Sequence, residues 1–488
     1  MFRRPTIGRF RIRGGIHPND CKALSAAQPI ENLPLPPLLH IPLQQHIGAA
    51  AEAIVKRGQS VRKGELLARD QGAISAPVHA PTSGRIVGIG SYPAHHVSGL
   101  SVRTVTLQPD GYDEWHDACE GVDDPFALTP DEIATRVAAA GIVGMGGATF
   151  PAAVKLNLRK RYTLQQLVIN GAECEPYLTC DDRLMRERAA AVRDGVLLIA
   201  QALGVSAITI AIENNKPEAL QAMREAITTT PSIQVVGLPT RYPMGSEKHL
   251  VQMLTGYETP ARGLTADIGV VVHNVATAAA VYDALRHGRP LISRLVTVSG
   301  GAIAQPRNLH VPIGTPISAL ITYCGGYRSP PAQLISGGPM MGQPVATLQV
   351  PVIKGSNGVL ALTADELPQR REMPCIRCAS CVTACPCGLL PLTMVAHIRA
   401  GNLDSAVTYG LPDCISCGSC AYVCPSHIPL VHYFNYAKGE LAARQRAQHK
   451  QGETKRLAAA RRVRIAAIQQ AKREQMARRK AATAERSA

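Results

Sequence analysis

A chain of 488 residues is longer than one hydrophobic core usually supports, so several domains are expected. Its 46% hydrophobic and 18% charged content excludes wholesale disorder, while 42 Gly and 36 Pro forecast many turns and short strands. The net charge of +16 suggests a nucleic-acid binder only until it is located: Lys438 to Ala488 hold fifteen Lys and Arg against four Asp and Glu, a local +11, which leaves the body mildly basic. The basic stretch Met1 to Gly15 lacks the following apolar core of a secretory signal, which predicts a cytoplasmic protein. Fourteen cysteines in such a compartment argue against a disulfide framework, and eight of them are better explained as metal ligands.

In chain order, Ile47 to Gln108 is rich in Gly, Pro and short Val/Ile/Leu runs, as in Ala53 to Leu67, and reads as small β-hairpins. With Ile74-Ser75-Ala76-Pro77 and Pro81 to Val87 it resembles the barrel-sandwich fold of lipoyl and biotinyl carrier domains. No lysine stands between Ile74 and Pro81 to carry a swinging cofactor, so a structural module is expected within residues 1–115.

Residues 128–288 alternate helices with apolar strands and predict an α/β layer domain. The strands are expected at Leu167 to Asn170, Ala207 to Ile212, Ile233 to Val236 and Ile268 to Val272. The helices are expected at Asp194 to Leu203, Pro217 to Thr228 and Ala276 to Leu285. The charge-free run Gly195 to Ile212 has the length of a membrane span, but Gly204-Val205-Ser206 divides it into a helix and a strand. Leu295 to Ile321 returns to β character, giving a β-rich domain over 290–365. The cysteine-rich region falls within 366–436, with a helical segment from Leu389 to Tyr409, and 437–488 reads as a solvated helix or a disordered arm.

The cysteines carry the most specific signal. Cys375-x2-Cys378-x2-Cys381-x3-Cys385-Pro386 is followed by Cys414-x2-Cys417-x2-Cys420-x3-Cys424-Pro425. This is the spacing of bacterial two-cluster ferredoxins, in which the fourth cysteine of each run ligates the other cluster. One [4Fe–4S] cluster is therefore assigned to Cys375, Cys378, Cys381 and Cys424, and the other to Cys385, Cys414, Cys417 and Cys420. Four-cysteine zinc sites usually pair two Cys-x2-4-Cys knuckles and do not need these offsets. Cys387 is read as a bystander, and Cys21, Cys119, Cys174, Cys180 and Cys324 as small packing residues.

Gly141-Ile142-Val143-Gly144-Met145-Gly146-Gly147-Ala148-Thr149-Phe150-Pro151 precedes a helical Ala152 to Lys160. Glycines let backbone approach a phosphate, and a following helix start favours an anion, but a tight turn without a ligand has the same composition. No strand clearly enters this loop, so a generic Rossmann assignment fits imperfectly. The order of motifs is more telling. The loop, then Ile169-Asn170-Gly171-Ala172-Glu173-Cys174-Glu175-Pro176, then Met244-Gly245-Ser246-Glu247-Lys248, then Val272-His273-Asn274-Val275-Ala276-Thr277 resembles the flavin- and NADH-binding subunit of respiratory complex I. With the carrier-like module in front, a soluble-ligand-binding β-grasp-like (SLBB) segment at Val296 to Ile321 and a dicluster domain behind, residues 1–436 resemble the RnfC (RsxC) family of the Rnf (Rsx) ion-translocating oxidoreductases.

That resemblance implies FMN and NADH in a shared cleft. Gly144, Gly146 and Gly147 would leave room for phosphates, Glu173 and Glu175 would bond ribose or nicotinamide groups, and Asn274 would contact the flavin. The structural alternatives are helix caps or solvated charges for the glutamates and a turn for Asn274. His273 and Lys248 depart from the complex I pattern. A flavin converts a two-electron hydride into single electrons, so NADH is expected as substrate, FMN as converter and the two clusters as one-electron carriers. The family implies a peripheral subunit on the cytoplasmic side of the bacterial inner membrane. Its partners would be membrane-embedded and ferredoxin-like members of the Rnf complex. The basic tail suits an anionic membrane surface, and it lacks the aromatic interleaving or groove-reading motif of a nucleic-acid binder. The competing readings are a soluble NADH-dependent diaphorase subunit, a non-catalytic relay and docking protein, and a nucleic-acid binder with structural clusters.

Overall fold

The computed structural model describes residues 10, 12–96, 99–147, 149–367 and 371–485. Most of the basic stretch Met1 to Gly15, Ala148 of the glycine-rich loop and the last three residues of the tail lie outside the described residues.

The N-terminal region contributes β1 (Glu31–Asn32), β2 (Leu39–Pro42), β3 (Glu52–Ala53), β4 (Ser60–Val61), β5 (Leu66–Arg69), β6 (Val78–His79), β7 (Gly84–Pro93) and β8 (Ser101–Pro109). Seven of these form two antiparallel sheets, in the orders β2-β8-β7-β4 and β3-β5-β6. Leu39, Ile41, Leu67, Ile86, Val105 and Leu107 are fully buried. Strand alternation explains how such short segments each present apolar residues to a core.

The α/β domain begins with α1 (Pro130–Ala139), where Thr129 and Glu132 form a reciprocal capping box. There follow α2 (Ala152–Leu156), β9 (Gln166–Gly171), α3 (Cys180–Glu187), α4 (Ala189–Leu203), β10 (Ala207–Glu213), α5 (Pro217–Ala226), β11 (Ile233–Leu238), α6 (Glu247–Thr255), β12 (Val270–Asn274) and α7 (Val275–His287). The sheet is wholly parallel, in the order β11-β10-β9-β12. Helices cover both faces of a parallel sheet, so its strands read as near-continuous apolar runs rather than alternating ones. The run tested as a membrane span is α4 and β10, parted at Gly204 in the left-handed conformation (φ 69°). Gly195 lets α4 and α7 approach closely, because a Cβ there would lie 1.8 Å from the Ala278 carbonyl oxygen.

The next domain is built from β13 (Ser293–Ser299), β14 (Arg307–Pro312), α8 (Ile317–Tyr323), β15 (Gln333–Ser336), β16 (Gln343–Pro344) and β17 (Gly358–Leu362). Its sheet runs β1-β14-β13-β17-β15-β16. Two features depart from the expectation. Ile317–Tyr323 is helical within the segment read as β, starting after Pro316 and packing Ile317, Leu320 and Ile321 inward at helical spacing. The sheet also borrows β1 from the N-terminal region, in parallel register with β14.

The remaining helices are α9 (Ser380–Ala384), α10 (Pro391–Arg399), α11 (Leu403–Thr408), α12 (Ser419–Tyr422) and α13 (Leu430–Glu485). The chain divides into two units. The first holds residues 1–389 and 417–428, and so includes α9 and α12. The second holds residues 390–416 and 429–488. In the second unit α10 packs against α11 and α13, with Arg399 donating to the Tyr433 hydroxyl at 3.1 Å and His397 stacked on Tyr409. The basic tail is the exposed continuation of α13. Among the described residues no helix is long and apolar enough to cross a membrane.

Candidate cofactor sites

The two cysteine runs fold alike, thirty-nine residues apart. Arg377 and Ser416, each two residues past the first cysteine, are both left-handed at φ 56°. Ala379 and Gly418, each after the second cysteine, are left-handed at 60° and 84°. These turns bend the chain within each run before α9 or α12, which carries it on to the fourth cysteine. Backbone amides donate to sulfur at 3.4 Å in three places: Arg377 to Cys375, Ser416 to Cys414 and Leu389 to Cys385. Ser380 and Ser419 place their hydroxyls 3.4 Å from the sulfurs of Cys378 and Cys417, and the Ser380 contact lowers the Cys378 pKa. Donors aimed at sulfur favour the thiolate, the form that binds iron. The residues present therefore fit iron–sulfur ligation.

Two hydrogen bonds join the segment after Cys424 to the start of the first run. The Met373 amide donates to the Ser426 carbonyl at 2.9 Å, and the Ser426 hydroxyl donates to the Pro374 carbonyl at 2.9 Å. Cys424 is thereby held beside the start of the first run. Cys375 and Cys378 are exposed, whereas Cys385, Cys417 and Cys420 are buried. Cys414 belongs to the second unit, where the Lys438 ammonium donates to its carbonyl and, at 3.2 Å, to the Ser416 hydroxyl.

The α/β domain grips these loops directly. The Tyr242 hydroxyl donates to the Cys417 carbonyl at 2.7 Å, and His249 on α6 bonds the Pro386 carbonyl at 2.8 Å. The Gly15 amide donates to the Ala384 carbonyl at 2.9 Å.

The glycine-rich loop follows α1 and enters α2, so a helix precedes it, consistent with the imperfect Rossmann pattern. Two of its amides are internally committed: Gly144 donates to the Phe150 carbonyl at 2.7 Å and Met145 to the Thr277 hydroxyl at 3.0 Å. Among the described residues the Gly146 and Gly147 amides have no acceptor. A Cβ at Gly147 (φ 107°) would meet nothing within 4 Å, and one at Gly146 would lie 3.4 Å from the Asn274 Cβ. Both glycines are exposed, so their two free amides are donors open to a phosphate or a flavin edge.

Asn274 ends β12 and caps α7, accepting from the Ala276 amide at 2.8 Å while donating to Asp181 at 2.6 Å. Glu173, itself left-handed at φ 46°, accepts from the Asp181 and Asp182 amides at 2.7 and 3.2 Å and so caps α3. Gly144, Gly146, Gly147, Asn274 and, through Asp181, Glu173 are thus gathered together. Glu175 is turned elsewhere: it accepts from the Met340 amide at 3.0 Å and lies 3.3 Å from the Tyr242 hydroxyl, whose proton is directed at Cys417, and burial pushes its carboxyl up to about 7. His273, on β12, is buried with its Nε2 unpartnered and is held neutral, down to about 3, by that burial.

Several residues of this region gave no sequence signal. Lys22 sends its ammonium to the carbonyls of Glu173, Glu175 and Leu178 at 2.9, 3.0 and 2.5 Å, and burial lowers its pKa. Lys216 holds the Ala172 carbonyl at 2.7 Å. Burial, then the nearby Glu173, raises the Asp181 carboxyl well above the usual range. Cys180, read as packing, puts its sulfur within 4.8 Å of the Glu173 and Asp181 oxygens.

An α/β domain with a glycine-rich loop offering free amides, hydrogen-bonded to the loops of two four-cysteine runs, has the parts of an iron–sulfur flavoprotein of the electron-transfer class. Comparison with known proteins agrees. Residues 137–283 match the Nuo51 FMN-binding domain, 10–112 the RnfC barrel sandwich hybrid domain, 295–344 the SLBB domain and 374–428 the 4Fe–4S dicluster domain. The C subunit of the ion-translocating oxidoreductase complex of Rhodobacter capsulatus is 58% identical over 443 residues, 90% of this chain and 85% of that protein. The C subunit of the proton-translocating ferredoxin:NAD(+) oxidoreductase complex of Clostridium ljungdahlii is 44% identical over 431 residues, 88% of this chain and 93% of its own. The C subunit of the ion-translocating oxidoreductase complex of Pseudomonas aeruginosa is 45% identical over 421 residues, 86% of this chain and 54% of the relative. The chain belongs to the RnfC family, the C subunits of ion-translocating oxidoreductase complexes.

Proposed function

We propose that the chain is the peripheral subunit through which electrons pass between NADH and a ferredoxin-like partner, with ion movement carried out by other subunits of its complex. A bound flavin exchanges a two-electron hydride for single electrons, the form that iron–sulfur clusters accept. In this reading Gly146 and Gly147 offer their free amides to the FMN phosphate side, Gly144 leaves room beside them while its own amide closes the loop on the Phe150 carbonyl, and Asn274 faces the flavin from the start of α7. Glu173 sets the α3 end of the cleft, and Glu175 belongs to the connection toward the second cysteine run. Cys375, Cys378, Cys381 and Cys424 hold one cluster, and Cys385, Cys414, Cys417 and Cys420 the other.

The observation that carries the reading is the pair of hydrogen bonds from Tyr242 and His249 to the loops of Cys417 and Cys385. They tie the nucleotide-type domain to ligands assigned to a single cluster. That supports passage from the flavin to the buried cluster first, with the exposed Cys375 and Cys378 side left for a partner.

The subunit would lie on the cytoplasmic side of the bacterial inner membrane, where anionic lipid attracts the exposed basic part of α13 at about 1 kcal/mol per Lys or Arg near the surface. The domain bounds 1–115, 128–288, 290–365, 366–436 and 437–488 describe this division of labour, with β1 crossing to the third domain's sheet.

The test of the flavin site is extraction and identification of the flavin from anaerobically purified protein, wild type and Gly147→Val. FMN in the wild type and a several-fold lower content in the variant, with iron unchanged, is the expected result. Equal flavin in both would refute the assignment of this loop.

A further inference from the structure

A cavity of about 390 Å³ is lined by Ala276, Ala279 and Ala280 of α7 and by Met145 of the glycine-rich loop. Three parts of the first unit enclose it: the N-terminal module through Lys63 and Trp115, the α/β domain through α3 and α7, and the β-rich domain through His310. Small residues make the space, since Ala276, Ala279 and Ala280 form one face of α7 at helical spacing. The volume is that of a small-molecule site.

Its charge is unbalanced. Lys63, Arg188, Arg289 and Arg294 line it against Asp113 and Asp283, an excess of two cations among the lining side chains, although Arg294 also faces Asp181. Burial, with Arg188 and Lys63 nearby, holds His310 down to about 4, so it adds no charge near neutral pH. Two of the cations are already used. Lys63 pairs with Asp113 at 2.5 Å, and Arg294 donates to the Ser356 carbonyl at 3.0 Å. Among the described residues the guanidinium groups of Arg188 and Arg289 make no hydrogen bond and no ion pair within 4 Å, and both act on Asp283 only at longer range. Arg289 rests over Trp115, 5.5 Å from the ring, which limits where its guanidinium can point.

We propose that this cavity binds a small organic dianion, its charged head held by Arg188 and Arg289 and its apolar body laid along the alanine face of α7. Two guanidinium forks match a phosphomonoester or a dicarboxylate, each taking bidentate hydrogen bonds. Met145 of the glycine-rich loop is in its wall, but Gly144, Gly146, Gly147, Glu173 and Asn274 do not line it.

Trp115 is the chain's single tryptophan, so its fluorescence reports on this wall alone. The purified holoprotein is titrated at constant ionic strength with phenyl phosphate, inorganic phosphate and succinate, and the phosphate and succinate arms distinguish the two kinds of head. A saturable change is expected for phenyl phosphate or succinate. Arg188→Gln/Arg289→Gln should weaken it roughly tenfold or more, the scale of losing charge-assisted hydrogen bonds, with bound FMN and iron unchanged. Ala280→Leu, which fills the cavity, should weaken phenyl phosphate while sparing inorganic phosphate. A change that never saturates, equal affinity in the double variant, or loss of FMN together with ligand would overturn the proposal.

Discussion

The Tyr242 hydroxyl lies 2.7 Å from the carbonyl oxygen of Cys417, and this bond joins the α/β domain to the second cysteine run. The ring is fully buried, so the hydroxyl has no solvent to replace the contact. Tyr242→Phe leaves the ring and removes the donor. The expected cost is about 1 kcal/mol of stability, read by denaturant unfolding. The EPR signal of the cluster that includes Cys417 should shift while the other holds.

Cross-ligation makes a paired prediction. Cys424→Ala should remove the cluster held by Cys375, Cys378 and Cys381, and Cys385→Ala should remove the one held by the second run. EPR of each reduced variant separates the outcomes. Loss of the cluster belonging to the same run as the substituted residue would refute the assignment.

Glu175 predicts a pH dependence. Its carboxyl rises from an ordinary 4.5 to about 7 on folding, chiefly through burial. Between those values the folded chain binds more protons than the unfolded one, so stability from this group is present at low pH and falls as pH rises toward 7. The difference corresponds to about 3 kcal/mol. Glu175→Gln keeps an acceptor for the Met340 amide and cannot ionise. Its stability difference from wild type should therefore change by up to that amount between pH 4.5 and 7, measured by denaturant melts across the range. A constant difference would remove Glu175 as a titrating group.

Asn274→Ala should cost about 1–2 kcal/mol, the scale of a lost helix N-cap, because it removes the acceptor for the Ala276 amide and the donor to Asp181. If Asn274 also faces the flavin, FMN content should fall beyond what the lost stability explains. Retention of FMN at the wild-type level would confine Asn274 to the capping role.

What could be read in advance follows from how local each signal is. The strands around Leu167, Ala207 and Ile233 showed themselves because a parallel sheet covered on both faces needs unbroken apolar runs. The dicluster domain was legible because its cysteines stand at spacings of three and four residues. The helix Ile317–Tyr323 was not, since Ile-Ser-Ala-Leu-Ile-Thr-Tyr is rich in β-branched and aromatic residues and only its packing makes it helical. Lys22 and Asp181 escaped because their roles are set by contacts 151 and 93 residues away in the chain. Glu173 was chosen from its motif, yet its carboxylate faces the amides of α3, an outcome that depends on the left-handed turn at that residue. Glu175 stands two residues on, and its carboxyl meets Met340 and Tyr242, which the motif gave no means to foresee.

The central claim is that NADH electrons reach the clusters through a flavin held in this chain. The most direct measurement is anaerobic purification with iron, sulfide and flavin quantified on one sample, followed by NADH addition under optical and EPR observation. The account predicts two four-iron clusters and one FMN per chain, with the flavin bleached and cluster signals appearing on NADH addition. Two clusters with no flavin and no response to NADH would contradict it and leave an iron–sulfur relay.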